Sequence, residues 1–248
     1  MSDAVTLHAH AKLTLSLHVT GVRDDGFHLI DAEMIDLLLA DTLRIDPSGE
    51  GITVDGPFAS GVPTTADNLI ARALRLVGRS AAVHVTKQIP NGGGLGGGSA
   101  DAAAVLRWAG FDDLTAASRL GADVPFCLVG GRARVQGIGE VVLPFAAGQR
   151  SDEPIEVTLV VPPLHVSTPA VYAAWDSLDA TDRQGAINDL ETAAIMVEPR
   201  LTHWRDRIRE AAGTTPTLAG SGATWFLRGK YDIADALNDA TVIVTRSR

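Results

Sequence analysis

The stretch Pro90-Asn91-Gly92-Gly93-Gly94-Leu95-Gly96-Gly97-Gly98-Ser99 decides the fold, because it joins a predicted strand to a predicted helix. Val83 and Val85 alternate with polar residues before it, and apolar residues recur with helical spacing in 102–109 after it. The first amides of a helix lack partners within the helix and, with the helix dipole, favour anions. Glycines let the backbone approach phosphate oxygens. The run therefore predicts a phosphate-binding loop, whose contacting residues are Pro90, Gly92, Gly93, Gly94, Leu95, Gly96, Gly97, Gly98 and Ser99.

Other phosphate-binding patterns fit the run less well. No lysine follows the glycines, so the P-loop pattern G-x-x-x-x-G-K-[ST] is absent. Gly92, Gly94 and Gly97 match G-x-G-x-x-G, as any glycine-rich window does. That fingerprint also needs an acidic residue about 20 positions later, at the end of a second strand, that hydrogen-bonds the ribose. Asp112 and Asp113 lie near that distance but in a predicted helix–helix turn. A dinucleotide-dependent oxidoreductase stays an alternative, and it predicts binding of NAD rather than ATP.

The composition argues against several classes of protein. The chain has 248 residues and a formal net charge of -9, and such an acidic surface opposes non-specific nucleic-acid binding. Its one cysteine, Cys127, cannot form an internal disulfide, which suits a reducing compartment. The most apolar segment, 37–40, is far shorter than the ~20 residues that span a bilayer. We therefore expect a cytoplasmic protein that binds neither nucleic acid nor a membrane.

Periodicity predicts further elements around the glycine run. Residues 5–19 read as a strand, and 29–46 predicts two strands that bracket a turn near Ala40-Asp41. Residues 231–239 predict a helix. Small and polar residues between 146 and 154 indicate a domain boundary.

Several segments resemble those of one superfamily, which contains galactokinase, homoserine kinase, mevalonate kinase and phosphomevalonate kinase (the GHMP kinases). Residues 87–103 resemble its phosphate loop. The other matching segments are Ala11-Lys12-Leu13-Thr14-Leu15-Ser16-Leu17, Gly26-Phe27-His28, Gly121-Ala122-Asp123-Val124-Pro125-Phe126, Asn188-Asp189-Leu190-Glu191 and Gly220-Ser221-Gly222-Ala223-Thr224. Their order and rough spacing agree along nearly the whole chain. They are most similar to the branch that serves non-mevalonate isoprenoid synthesis and phosphorylates an alcohol carrying cytidine diphosphate.

The resemblance implies an α+β fold of two domains with the active site between them. The N-terminal domain, 1–150, is expected to bind ATP and to resemble domain 2 of ribosomal protein S5. The C-terminal domain, 151–248, is expected to be ferredoxin-like. ATP and Mg²⁺ are the implied cofactors, and the Ser99 hydroxyl is a candidate magnesium ligand. Whether the protein is a monomer or a homodimer stays open.

The resemblance also implies residue roles. Asp123 is expected to be the catalytic base, and Lys12 to lie beside it, hold it ionised and polarise the acceptor hydroxyl. His28 is expected to hydrogen-bond the cytosine edge, with Phe27 and Tyr172 flanking its ring. The remaining candidates for substrate binding are Thr14, Thr168, Pro169, Gly220 and Ser221.

Three positions depart from the pattern of this branch of the superfamily. Thr14 stands where Asn is usual, Phe27 replaces Tyr, and Ala100 replaces Ser. Thr keeps a hydroxyl but loses the two-donor amide. Two further alternatives therefore stay open, which are a related kinase with another alcohol acceptor and a non-catalytic nucleotide-binding homologue.

Overall fold

The computed structural model describes residues 4–146, 148, 153–185 and 187–248. The strands are β1 Val5–Val22, β2 His28–Asp46, β3 Gly51–Asp55, β4 Ala82–Thr86, β5 Arg132–Gly137, β6 Val141–Pro144, β7 Glu156–Val161, β8 Thr217–Leu218, β9 Trp225–Arg228 and β10 Thr241–Arg246. The helices are α1 Leu69–Leu76, α2 Gly97–Trp108, α3 Leu114–Ser118, α4 Val124–Val129, α5 Thr168–Asp176, α6 Glu191–Val197 and α7 Arg200–Ala212, with a 3₁₀ turn at Asp235–Leu237.

The first sheet is organised around β2. One edge of β2 pairs antiparallel with β1 along nearly its whole length. The other edge pairs with β5 near its start and with β4 near its end. Strands β3 and β6 complete the sheet beside β4 and β5, respectively. Residues 36–41 of β2 therefore lie between the two strands that share its second edge.

The prediction of two strands within 29–46 is wrong. β2 is continuous through the expected turn, because Ala40 pairs with His10 and Asp41 with Ala9 in β1. The Asp41 carboxylate, which suggested a turn, is fully buried and accepts the backbone N–H groups of Gln88 and Ile89. A buried polar residue with its own hydrogen bonds thus continues the strand rather than ending it.

The second sheet has the order β10-β7-β9-β8, and its neighbouring strands are antiparallel. Isolated bridges join Leu17 to Asn188 and Leu37 to Ser247, so strands β1 and β2 contact the second sheet's part of the chain. The helix predicted over 231–239 is wrong, since only the 3₁₀ turn forms there.

The two sheets use separate parts of the sequence. Strands of the first lie within 5–144 and those of the second within 156–246. The predicted boundary between residues 150 and 151 falls outside the described residues, so it stays a prediction. Among the described residues, no helix has both the length and the apolar character needed to cross a bilayer.

Candidate active site

A cleft of about 560 Å³ brings together the residues that the sequence assigned to catalysis and substrate binding. The N-terminal part of the chain contributes one wall and the C-terminal part the other. The predicted residues that line the cleft are Lys12, Thr14, Phe27, His28, Asp123, Thr168, Pro169, Tyr172, Gly220 and Ser221. Gly94 of the glycine loop also lines it. Residues from six separate segments therefore meet at one site.

Lys12 and Asp123 form an ion pair in this cleft. Lys12 Nζ lies 3.3 Å from Asp123 Oδ2 and donates a 3.3 Å hydrogen bond to Thr14 Oγ1. The Lys12 side chain is 7% exposed, whereas that of Asp123 is 32% exposed. Asp123 precedes α4, and within that described helix its side chain makes no capping hydrogen bond. The carboxylate thus stays open to the cleft while the ammonium is fixed behind it.

The glycine loop packs tightly against β1. Lys12 N–H donates to the Leu95 carbonyl over 3.0 Å, where the β1–β2 register shifts between His10 and Lys12. Gly96 has φ +69° and caps α2, and a Cβ there would lie only 2.7 Å from Lys12 Cγ. A side chain at this position would both strain the backbone and displace the lysine. The sequence therefore needs glycine where the loop meets the ion pair.

The start of α2 is an anion site. Ala100 N–H, which donates to the Gly96 carbonyl over 2.8 Å, makes the first bond back along this helix. The amides of Gly97, Gly98 and Ser99 precede it and have no partner within the helix. With the helix dipole they favour a negative group. This end of the site can accept phosphate oxygens next to the Lys12–Asp123 pair.

The residues near Ser99 are compatible with magnesium bound through nucleotide phosphates. Ser99 Oγ lies 3.7 Å from the position of a Cβ on Gly121, two residues before Asp123. In the described part of the chain, no group of three or more His, Cys, Asp or Glu side chains could hold a metal ion. Mg²⁺ commonly takes one or two protein oxygens and completes its shell with water and phosphates. The Ser99 hydroxyl matches that pattern.

Beyond the ion pair lies a set of aromatic rings, here called the aromatic group, which consists of Phe27, His28, Tyr172 and Trp175. The His28 ring stacks on Tyr172 at 4.6 Å between centroids and meets Trp175 edge-on at 5.6 Å. His28 Nε2 lies 2.8 Å from Asp176 Oδ1, a contact that the sequence did not predict. Burial, together with the negative charge of Asp123, raises the pKa of Tyr172 to about 12, so this phenol stays protonated. Phe27, also predicted here, is 56% exposed at the rim.

The C-terminal motifs hold one side of the cleft. Asn188 Nδ2 donates to the carbonyls of Leu218 and Gly220 over 2.9 and 2.7 Å. The hydroxyls of Thr168 and Ser221 lie 2.8 Å apart. Asn188 therefore fixes the turn that carries Gly220 and Ser221, although the sequence suggested no separate role for it.

Sequence reasoning also missed a buried charge cluster below the glycine loop. It contains Asp41, Lys87 and Asp101, all under 5% exposed. Lys87 Nζ donates to Asp41 Oδ2, and to Asp101 Oδ2 over 2.7 Å. A signal was present, because Lys87 and Asp101 flank the glycine run next to a strand and a helix that are both largely apolar. Charged residues at buried positions need partners.

The two-sheet fold, the glycine loop and the ion pair define an ATP-dependent small-molecule kinase of the GHMP type. Residues 68–131, which include the loop and Asp123, match the family described as GHMP kinases N terminal domain. The α+β fold class predicted from the sequence is thereby confirmed.

Comparison with known proteins narrows this class. The chain is 41% identical to 4-diphosphocytidyl-2-C-methyl-D-erythritol kinase of Paracoccus denitrificans, over 88% of this chain and 84% of that protein. It is 38% identical to the protein of the same name from Ruegeria pomeroyi, over 90% and 88%. A crystal structure of 4-(cytidine 5'-diphospho)-2C-methyl-D-erythritol kinase superposes with a TM-score of 0.75 at 31% identity, covering 98% of this chain and 100% of that one. The chain belongs to the 4-diphosphocytidyl-2-C-methyl-D-erythritol kinase family.

Proposed function

We propose that this protein transfers the γ-phosphoryl group of ATP to the 2-hydroxyl of 4-diphosphocytidyl-2-C-methyl-D-erythritol. The proposed reaction is a step in non-mevalonate isoprenoid precursor synthesis, and we expect it to take place in the cytoplasm. The observation that carries the proposal is the Lys12–Asp123 pair, which lies between the glycine loop and the aromatic group of one cleft.

Asp123 is proposed to accept the proton of the acceptor hydroxyl. Its carboxylate is one-third exposed to the cleft, so an alcohol can reach it. The ammonium of Lys12 at 3.3 Å favours the ionised carboxylate and can also donate to the hydroxyl oxygen. A general base of this kind accelerates a reaction by roughly 10²–10⁴-fold.

The glycine loop is proposed to align the donor. Amides of Gly97, Gly98 and Ser99 would bind phosphate oxygens of ATP, and the Ser99 hydroxyl is the candidate protein ligand of Mg²⁺. Bound there, Mg²⁺ would neutralise charge on the phosphates. Phosphoryl transfer then depends on alignment and charge stabilisation, which a rigid loop supplies.

The aromatic group is proposed to bind cytosine. Tyr172 and Phe27 offer aromatic faces at the buried and exposed sides of the cleft, and His28 offers a ring nitrogen. Asp176 at 2.8 Å would hold the His28 ring in one orientation. The Thr14 hydroxyl lies beside Lys12 and is the candidate contact to the erythritol end.

The test is acceptor-dependent release of ADP. Purified protein is given ATP, Mg²⁺ and 4-diphosphocytidyl-2-C-methyl-D-erythritol, with a control that lacks the acceptor. We expect ADP only in the complete mixture, and the control variant Asp123→Asn should release almost none. If ATP binds but this acceptor causes no release, the proposal fails. A screen of other small alcohols then separates a kinase with another acceptor from a non-catalytic homologue.

A further inference from the structure

The buried cluster of Asp41, Lys87 and Asp101, here called the loop triad, connects three parts of the fold. Asp41 belongs to β2, Lys87 directly follows β4, and Asp101 lies in α2. The Lys87 side chain is 2% exposed, that of Asp41 is 0% and that of Asp101 is 6%. None of the three lines the cleft.

The loop triad fixes both ends of the glycine loop. At the start, Asp41 Oδ1 accepts the N–H groups of Gln88 and Ile89 over 2.5 and 2.8 Å. At the end, Lys87 Nζ donates to Asp101 in the second turn of α2. A Cβ on Gly97 would lie 3.2 Å from Lys87 Nζ, so the ammonium lies directly below the first residue of α2. The Lys87 side chain thereby connects the segment before the glycine loop with the helix after it.

Burying these charges costs free energy that an apolar cluster would not. Desolvation of two carboxylates and one ammonium is expensive, and apolar replacements of buried ion pairs are often neutral or stabilising. Asp101 Oδ1 is buried without a hydrogen-bond partner among the described residues. The arrangement is therefore hard to explain as a source of stability. It supplies directed hydrogen bonds, which fix geometry where apolar contacts do not.

We propose that the loop triad is a set of positioning residues that holds the glycine loop in its ATP-binding shape, without touching the nucleotide. The inference rests on the proposed function only for the binding of ATP to this loop. Its consequence is that loss of the hydrogen bond between Lys87 and Asp101 weakens ATP binding and leaves the chemistry at Asp123 intact. The loop would then have to be ordered by ATP itself, which costs affinity.

The test compares Asp101→Ala with Asp101→Asn. Both variants replace the Asp101 carboxyl group with an uncharged side chain and keep the Lys87–Asp41 pair, so both should keep a folded core. Only asparagine keeps an oxygen that can accept a hydrogen bond from Lys87 Nζ. We expect Asp101→Ala to raise the KM for ATP about tenfold, as for loss of a hydrogen bond to a charged group. The kcat at saturating ATP and the KM for the acceptor should stay within about threefold, and Asp101→Asn should recover most of the lost affinity.

A third variant controls for simple loss of stability. Asp113 caps α3 by accepting a 2.9 Å hydrogen bond from the Ala116 N–H, and it belongs to neither the glycine loop nor the loop triad. Asp113→Ala should lower the melting temperature without changing ATP affinity. Calorimetric titration with Mg²⁺ and a non-hydrolysable ATP analogue measures that affinity in all four proteins without an acceptor.

Two results would overturn the inference. One is equal affinity for the ATP analogue in wild type and Asp101→Ala. The other is equal loss of affinity in Asp101→Ala and Asp101→Asn, since the retained oxygen would then have no effect. Failure of the proposed function gives a different result, in which wild type binds the analogue but does not phosphorylate the cytidine-containing acceptor. The comparison of the variants is still decisive in that case.

Discussion

Two lysines lie on opposite sides of the glycine loop, and they differ in how exposed their partner carboxylates are. Lys12 faces the cleft and pairs with Asp123, which is one-third exposed. Lys87 lies below the loop and pairs with carboxylates that are almost fully buried. A Cβ on Gly96 would strike Lys12, and one on Gly97 would contact Lys87. Access to the cleft, more than ion pairing itself, therefore distinguishes the pair proposed to react from the one proposed to position the loop.

The largest expected effect comes from a mutation in the Lys12–Asp123 pair, here called the open pair because it faces the cleft. Asp123→Asn keeps the shape of the side chain but removes the base, so kcat should fall by roughly 10²–10⁴-fold. ATP affinity should be nearly unchanged, because the variant leaves the loop and the loop triad intact. Steady-state rates and titration with an ATP analogue measure the two quantities. An unchanged kcat would mean that another group takes the proton. The Lys12–Asp123 pair would then not be the reactive one.

Gly96→Ala should have the next largest effect, because it acts on the open lysine through the loop. The new Cβ would need to occupy space 2.7 Å from Lys12 Cγ, and φ +69° is unfavourable for alanine. Displacement of Lys12 and of the loop should lower kcat by about ten- to a hundredfold and weaken ATP binding. The sequence alone predicts only that a larger residue here crowds the phosphates. A loss of ATP affinity with full kcat would support that simpler explanation instead.

Gly97→Ala is the matched change on the other side of the loop. Its Cβ would lie 3.2 Å from Lys87 Nζ and from Ile89 Cγ2, and its backbone does not need the left-handed region. Small shifts can relieve these contacts, so we expect a few-fold rise in the KM for ATP and nearly normal kcat. Parallel kinetics of the two alanine variants would show whether the sides of the loop differ. Equal losses of kcat would contradict the separation proposed here.

The sequence predicts the open pair better than the buried one for a physical reason. The glycine loop follows from the chemistry of a helix start, and Lys12 and Asp123 lie in short segments that resemble those of the GHMP kinases. The loop triad joins residues 46 and 14 positions apart, and it forms only after β2 and β4 pair. For the same reason Asp41 suggests a turn from its polarity, whereas the fold gives it two amide donors within a continuous strand. Asp176 beside His28, 148 positions away, is likewise invisible to local patterns.

The smallest expected effect is the contribution of the buried triad to the pH dependence of stability. Burial, together with the negative charge of Asp41, raises the pKa of Asp101 from 3.8 to about 7, although Lys87 opposes the shift. The folded protein therefore keeps a proton that the unfolded chain loses above about pH 4. This contribution to the free energy of unfolding is complete below that pH, and it declines as the pH rises and is gone above about pH 7. Asp101→Asn cannot lose the proton.

Melting temperatures between about pH 5 and pH 8 test this sign against the linkage relation. Relative to wild type, Asp101→Asn should be more stable at the upper end of the range than at the lower end. Asp123→Asn is the matched control, because its carboxylate lies partly exposed outside the triad, and its difference from wild type should not follow the same curve. If the wild-type and Asp101→Asn curves run parallel, Asp101 is ionised throughout and the ammonium of Lys87 outweighs burial. Exposure to the cleft would then be the main difference between the two ion pairs.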